Sequence, residues 1–318
     1  KKQKKYILLC TIVVLFCLIL FGFISLIRFA ISFFFPSAPS QAVPSVETET
    51  SAPTLVSYPE VDFTIGSTGC ILLHSPFMTS YPDENGNYDF SSVFRYITPY
   101  YSQPDFMTAE FEGSLGGAEL GYSGYPMFNA PDCIIENMRD SGIDLQFLAT
   151  NHIYDSLEQG FARTLDIYEQ KQIAHTGARS SLEKPPYYIA EISGVKVGFL
   201  NYVYETPNDE DGTSLNGMIM DQTSASLLNT FQYDNLDPFY RDVEKSIAEM
   251  KEQDVRFFLM NMHWGEEYQL TEATYQDQIA QKLCNIGIDA IIGGHPHVIQ
   301  PIDVLTSTDG TRKTFCIY

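Results

Sequence analysis

Three short histidine-bearing segments hold the residue types that could do chemistry in this chain of 318 residues. Residues 293–298 read Gly-Gly-His-Pro-His-Val, residues 149–155 read Ala-Thr-Asn-His-Ile-Tyr-Asp, and residues 262–267 read Met-His-Trp-Gly-Glu-Glu. Each segment follows an apolar run typical of a β-strand, and polar residues beyond the carboxyl ends of strands in an α/β sheet gather at one edge. We therefore expect these histidines to serve a common metal centre.

Together with Glu112, which follows another strand-like run, these segments combine imidazole, carboxylate and amide groups. His295 and His297 can bind one ion or two adjacent ions, Asn151 offers an amide oxygen, and Glu112 can bridge two cations. Such a set suits a divalent transition metal, Mn, Fe or Zn, better than Ca. Two ions about 3.5–4 Å apart would clamp a phosphoryl or carbonyl oxygen and activate a water. His152 can act as a proton donor or as a ligand.

Some polar residues near these segments also have ordinary structural explanations. Asp155 is a good helix N-cap, and His175 has the sequence surroundings of a surface residue. Glu266 and Glu267 can simply be solvated. These alternatives stay open at this point.

The first 58 residues differ sharply in composition from the rest. Residues 6–27 contain no charged side chain, and as a helix these 22 residues would cross a bilayer core. We predict a basic cytoplasmic tail (1–5), a transmembrane signal anchor (6–35), a Pro/Ser/Thr-rich linker (36–58) and an extracellular domain (59–318). A cleaved signal peptide is the alternative, but the apolar run is long and the following prolines make a poor cleavage site.

The exported part is strongly acidic. After Phe35 the chain holds 14 basic and 40 acidic residues, a net charge of −26. Such a domain repels nucleic acid, so a nucleic-acid-binding function is excluded. The charge also opposes binding of an anionic polymer, unless bridging cations or a local basic pocket, for example around Arg163, Arg179 and Lys184, provide contacts.

Four of the six cysteines lie in the predicted exported part. Their spacing contains no Cys-x-x-Cys pair, which excludes a zinc knuckle or ribbon. Cys133 and Cys284 fall at apolar positions of predicted helices, so we expect them in the core.

Strands and helices alternate from residue 59 onward, which is the rhythm of an α/β protein. The predicted strands are 61–67, 106–111, 144–150, 187–192, 195–202, 255–262, 289–292, 299–305 and 314–318, and the predicted helices are 131–140, 157–172, 236–250 and 271–286. Residues 205–234 are predicted to form a polar loop.

In this order the motifs resemble the CapA family of capsule-synthesis proteins, which is associated with poly-γ-glutamate. The resemblance rests on Glu-Phe-Glu-Gly at 110–113, the Asn-His segment at 149–155, His-Trp-Gly-x-Glu-Tyr at 263–268 and Gly-x-His-Pro-His-Val at 293–298. It covers about residue 61 to the end. It implies a fold similar to the calcineurin-like metallophosphoesterases, an α/β sandwich of mixed β-sheets flanked by helices.

The resemblance also implies roles for individual residues. His152 would act near the leaving group as the acid, and Asp155 would orient it. The implied metal ligands are Glu112, Asn151, His263, His295 and His297.

The chain departs from the family pattern at two places. Cys70 stands where the family has Asp, so it either ligates as a thiolate and favours a softer ion such as Zn²⁺, or marks the loss of one metal position. His74 is a further substitute for the missing carboxylate. The family pattern continues beyond the strand that ends at Tyr318, so we expect the 59–318 domain to be incomplete at its C-terminal end.

Three functions follow as alternatives. The first is a membrane-anchored, metal-dependent hydrolase or transferase that acts on a phosphoester, or on an amide of a capsule or wall polymer. The second is a non-catalytic component of polymer export or assembly with a degenerate metal site. The third, an adhesin or receptor ectodomain, explains the anchor but not the histidines. The expected partners are the membrane, the capsule polymer and other capsule-synthesis membrane proteins, and not nucleic acid.

Overall fold

The computed structural model describes residues 60–208 and 212–318. The predicted basic tail, transmembrane anchor and linker lie outside these residues. Within the described ranges, no helix has both the length and the apolar character that a membrane crossing requires.

A four-stranded parallel sheet forms one inner layer. Its strands are β1 (Ile65–Ile71), β2 (Phe106–Phe111), β3 (Leu145–Phe147) and β4 (His175–Thr176), in that spatial order. The connecting helices are α1 (Ser75–Ser80), α2 (Ser91–Phe94), α3 (Thr98–Tyr101), α4 (Cys133–Asp140) and α5 (Leu157–Gln170). Because the strands are parallel, all four carboxyl ends lie at one edge of the sheet.

A seven-stranded mixed sheet forms the other inner layer. Its strands in spatial order are β12 (Ile302–Thr306), β13 (Lys313–Ile317), β11 (Ala290–Gly294), β10 (Phe257–His263), β6 (Val195–Tyr204) and β5 (Tyr188–Ile192), and β9 (Thr230–Phe231) pairs with the end of β6. Helices α7 (Asp237–Glu252) and α8 (Thr274–Ile286) belong to this half. The strands β6, β10, β11 and β13 are parallel, whereas β5 and β12 are antiparallel edge strands.

Apolar residues on three surfaces hold these layers together. Leu145, Phe147, Phe199 and Leu259 lie between the two sheets. A second cluster packs the first sheet against its helices, and a third packs the mixed sheet against α7 and α8. The result is a mixed α/β sandwich with helices on both outer faces, which fits the architecture expected from the sequence.

The segment 205–234 is not the loop that the sequence predicts. It contains the hairpin β7 (Ser214–Leu215) and β8 (Met218–Ile219), the helix α6 (Gln222–Leu227) and the strand β9. Asp221 caps α6 by accepting hydrogen bonds from the Thr223 and Ser224 amides, both 3.0 Å. These elements are too short to show a periodic pattern in the sequence.

The first strand begins and ends four residues later than predicted. As a consequence Cys70 lies inside β1 rather than after it. The bounds of β2 are as predicted, and β12 and β13 pair antiparallel as expected.

Candidate metal centre

The predicted ligands lie between the two sheets, at the carboxyl ends of their strands. Glu112 directly follows β2, Asn151 lies in the loop after β3, His263 is the last residue of β10, and His295 directly follows β11. The shared edge brings together residues that are far apart along the chain.

Glu112 is the most unusual group of this site. Its side chain has no exposed surface, and neither carboxylate oxygen has a hydrogen-bond partner among the described residues. Oε1 lies 4.0 Å from His263 Nε2 and 3.9 Å from His297 Nε2. Two ligands that each lie about 2.0–2.2 Å from a common ion are at most about 4 Å apart. A cation between these atoms would compensate a buried charge that is otherwise costly.

His263 is oriented by Glu110, a residue that is not among the predicted ligands. Nδ1 lies 2.7 Å from Glu110 Oε2, and Nε2 lies 3.0 Å from Asn151 Oδ1. Burial acts to lower the pKa of His263, but the hydrogen bond to Glu110 and the charges of Glu110 and Glu112 outweigh it and raise the pKa. Because Nδ1 faces a carboxylate, Nε2 is the nitrogen that can hold either a proton or a cation.

A period-two signal in the sequence could have revealed Glu110. Glu110 and Glu112 are two residues apart at the end of an extended strand, so both side chains point to the same face. Both residues are 1% exposed. A Cβ added at Gly294 would overlap the Glu110 carboxylate, so glycine is required where β11 approaches it.

His295 and His297 both adopt positive φ values, +91° and +57°. Such backbone is uncommon for histidine and is found at functional sites. His295 Nε2 lies 3.3 Å from the Tyr204 hydroxyl, whereas its buried Nδ1 has no partner among the described residues. Burial, together with repulsion from His263, His297 and His152, lowers the pKa of His295 to about 2. This ring is therefore neutral and keeps a free lone pair for a metal.

His152 and Asp155 form a hydrogen-bonded pair at the same edge. His152 Nδ1 lies 2.7 Å from Asp155 Oδ2, which also accepts a 2.6 Å bond from the Phe128 amide. Burial raises the pKa of Asp155, against the stabilising contact with His152. The arrangement fixes the ring through Nδ1, and Nε2 has no hydrogen-bond partner among the described residues.

Cys70 faces the site from β1. Its Sγ lies 3.4 Å from Glu110 Oε2. Burial, followed by the charges of Glu110 and Glu112, raises the pKa of the Cys70 thiol well above its ordinary value.

Three groups of side chains place their ligand atoms within 4.8 Å of one another. The groups are Glu112–His263–His295, Cys70–Glu112–His297 and Cys70–Glu110–His263. The first two share Glu112, so the structure offers two adjacent cation positions with a common carboxylate. Asn151 adjoins the first position through its contact with His263. The donor set therefore fits one or two divalent ions.

Other residues singled out in the sequence lie outside these groups. His74 is exposed and packs edge-on against Phe128, so the structure does not support it as a substitute ligand. His175 lies on β4 beside Glu169, at 3.7 Å. Cys284 is buried as expected, Cys133 is only half-buried, and all four described cysteines are free.

Two of the three cations of the suggested basic pocket share a lining: Arg179 and Lys184 both line two clefts of about 370 Å³ and 680 Å³, whereas Arg163 lines neither. Arg163 forms two 2.7 Å contacts with Asp132, and Lys184 pairs with Glu169. Arg179 donates to Asn229 Oδ1 and to the Ser226 carbonyl, both at 3.2 Å.

A cleft of about 370 Å³ leads to the centre. Its lining residues are Gly69, Cys70, Gly293, Gly294, His295, Pro296, His297, Val298, Ile299 and Tyr318. The ligand group is thus reachable from outside the protein on the side of Cys70 and His297.

Comparisons with known proteins agree with the family suggested by the motifs. The family described as "Bacterial capsule synthesis protein PGA_cap" matches residues 64–318. The chain belongs to this family of bacterial capsule synthesis proteins.

Two curated relatives carry related names. The capsule biosynthesis protein CapA of Bacillus anthracis is 24% identical over 217 residues, which is 67% of this chain and 50% of that protein. The PGA biosynthesis protein CapA of Bacillus subtilis (strain 168) is 24% identical over 225 residues, 68% of this chain and 54% of that protein. The chain therefore spans about half the length of these relatives.

A solved structure was also matched. The sulfate thiohydrolase SoxB of Thermus thermophilus, in complex with glycerol, aligns with a TM-score of 0.41 and 12% identity, over 71% of this chain and 36% of that one.

Proposed function

We propose that this chain is a membrane-anchored, extracellular capsule-family protein whose metal centre hydrolyses or transfers a phosphoester, or an amide of a capsule or envelope polymer. The fold would be of the metallophosphoesterase type. One observation carries the proposal: a buried glutamate, Glu112, which has no hydrogen-bond partner among the described residues, lies among the imidazoles of His263, His295 and His297 at the edge where the strands end.

The residues would divide between two cation positions. Glu112, His263 and His295 would hold the inner position, with Asn151 beside it, and Glu112 with His297 would hold the outer one. When bound, Mn, Fe or Zn ions would supply Lewis-acid polarisation of a substrate oxygen and a more acidic water. The protein would contribute a fixed, largely buried set of ligands around them.

His152 would donate a proton to the leaving group. Asp155 holds Nδ1 at 2.7 Å, so it fixes the ring and its tautomer while Nε2 faces away from it. The Phe128 amide binds the same Asp155 oxygen and keeps the carboxylate in place. Asp155 is thus a positioning residue, and His152 the group proposed to reach substrate.

The membrane anchor and extracellular location rest on the sequence. Residues 6–27 are uncharged and follow four lysines, which favours a cytoplasmic N-terminus. Capsule polymer and other capsule-synthesis membrane proteins are the proposed partners, since the family names describe capsule synthesis.

Metal content and hydrolysis of the purified full-length chain test the proposal. We expect at least one transition-metal ion per chain by elemental analysis, and slow hydrolysis of a generic aryl phosphodiester that a chelator abolishes. Glu112→Gln should lose most of the metal. The exposed histidine outside the groups provides a control, so His74→Ala should keep it. Less than one bound ion per chain would overturn the proposal.

The second candidate, a non-catalytic assembly component, is favoured by one observation. Cys70 replaces the aspartate that the family resemblance implies, so the outer position differs from that of a hydrolase. A chain that binds metal fully but hydrolyses neither phosphoesters nor amide-linked polymer would support this candidate over the first.

A further inference from the structure

We infer that the two cation positions of the centre select different classes of ion. Cys70 is a thiolate ligand of the outer position, which therefore prefers a thiophilic ion such as Zn²⁺. The inner position has only nitrogen and oxygen ligands and accepts Mn or Fe as well. The inference rests on the proposed metal centre and adds which class of ion each position takes.

A β-bulge aims Cys70 at the centre. In the pairing of β1 with β2, Thr68 lies opposite Ala109 and Cys70 lies opposite Glu110, so Gly69 is an extra residue. Without the bulge, the alternation of the strand would put Gly69 opposite Glu110 and turn Cys70 towards the helices. Paired residues of parallel strands point to the same face, so Cys70 and Glu110 both point into the space between the sheets.

The sulfur has the contacts that a metal ligand needs. It belongs to two of the three groups whose ligand atoms lie within 4.8 Å of one another, once with Glu112 and His297 and once with Glu110 and His263. An independent observation also points to a bound cation. Glu112, which shares the outer position with Cys70, is fully buried and lacks any hydrogen-bond partner among the described residues.

Chemistry then separates the two positions. Thiolate ligands favour Zn²⁺ and similar ions, whereas carboxylate and amide oxygens also suit Mn²⁺. Coordination replaces the thiol proton, which is released to solvent, and the ion compensates the charges of Cys70 and Glu112. The two positions share Glu112, but only the outer position has a soft ligand, the thiolate of Cys70.

Cobalt substitution of the full-length chain tests the assignment, because a thiolate bound to Co²⁺ gives a near-ultraviolet charge-transfer band. We expect the band in the unaltered chain and in the control Cys133→Ser. It should vanish in Cys70→Ser and in Cys70→Asp. Zn²⁺ affinity, measured by competition with a chelator, should fall at least tenfold in Cys70→Ser, and Cys70→Asp should shift the preference towards Mn²⁺.

A second measurement needs no variant. Zn²⁺ should protect Cys70, but not Cys133, from alkylation of the unaltered chain, as read by peptide mass spectrometry. If the chain bound metal ions but showed neither the charge-transfer band nor protection of Cys70 from alkylation, this inference would be wrong. The proposed metal centre itself would not be contradicted by that result. Failure of the chain to bind any ion would instead overturn the proposed function.

Discussion

Glu112 and Glu205 are both buried carboxylates, yet the protein surrounds them in opposite ways. Glu205 accepts hydrogen bonds from Thr230 Oγ1 at 2.6 Å and Gln232 Nε2 at 2.9 Å. Glu112 has no such donors in the described part of the chain. A buried charge without donors lowers stability, and its presence is explained if a cation binds there.

Replacing each carboxylate by the isosteric amide should separate these two roles. Glu112→Gln should leave the metal-free protein as stable as before or stabilise it by on the order of 1 kcal/mol, because an uncompensated charge is removed. Glu205→Gln should lower the free energy of unfolding by about 1–3 kcal/mol, because one of its two acceptor oxygens is replaced by an amide group that donates, so one of the surrounding donors loses its acceptor.

Denaturant unfolding with and without added Zn²⁺ measures both effects. A bound ion should stabilise the unaltered chain and the Glu205→Gln variant, but not Glu112→Gln. Equal metal-induced stabilisation of both variants would contradict the role of Glu112.

Much of the site could be predicted at this scale. Asn151, His263 and His295 follow strand-like runs, and the parallel sheets bring them together. Glu110 was not among the predicted site residues, although it belongs to the same Glu-Phe-Glu motif as Glu112. The contact with His263 that gives Glu110 its role depends on a residue 153 positions away.

At the scale of elements, a buried hydrogen-bond network links the two sheets. The Asn261 amide on β10 donates to Glu110 on β2 at 2.8 Å, and its oxygen accepts from Asn201 on β6 at 2.6 Å. Asn201 in turn accepts from the Ala149 amide at 2.6 Å, in the loop that carries Asn151. This hydrogen-bond network therefore sets the positions of several site residues at once.

Removing the side-chain amide in the middle of this hydrogen-bond network should affect both folding stability and metal binding. We expect Asn261→Ala to lower the free energy of unfolding by roughly 2–4 kcal/mol, because buried partners are left unsatisfied. Metal affinity should fall about 10–100-fold, since Glu110 no longer holds His263 firmly. Chelator competition and denaturant unfolding provide the two readouts.

Gln146 on β3 supplies the matched control. It is also fully buried and hydrogen-bonded, to the Ile135 carbonyl and to the Tyr168 hydroxyl, but on the helix-covered face of its sheet. Gln146→Ala should therefore destabilise the protein and leave metal affinity unchanged. If both variants lost metal affinity to a similar degree, the loss would come from general destabilisation and not from the hydrogen-bond network.

Long periodic elements were predictable, whereas local irregularities were not. The sequence located β2 and the helix that begins at Leu157, because apolar periodicity is clear there. The bulge at Gly69 was not predictable, since pairing with β2 creates it. The bounds predicted for β1 therefore placed Cys70 after the strand instead of within it.

At the scale of the whole molecule, the sequence divides into an apolar, basic start and an acidic remainder. The charge of −26 after Phe35 is compatible with an exported domain that uses cations to approach anionic polymers. The proposed anchor would keep such a domain beside the membrane despite this repulsion.

Protease protection tests this topology. In intact cells, external protease should degrade the acidic domain while the N-terminal tail stays protected, and the chain should remain with membranes after an alkaline wash. Two arginines inserted in residues 6–27 should release it, since charges at the centre of a span cost about 2.5–3.5 kcal/mol each. Recovery of the unaltered chain in the soluble fraction would contradict the anchor.

The central claim is that Glu112 and the histidines at the strand ends share a cation. Anomalous scattering from crystals grown with Zn²⁺ tests it most directly, because it locates the ion itself. We predict an anomalous peak about 2.0–2.2 Å from Glu112 Oε1 and from an imidazole nitrogen of His263, His295 or His297. Anomalous peaks confined to surface carboxylates, with Glu112 left without an ion, would contradict it.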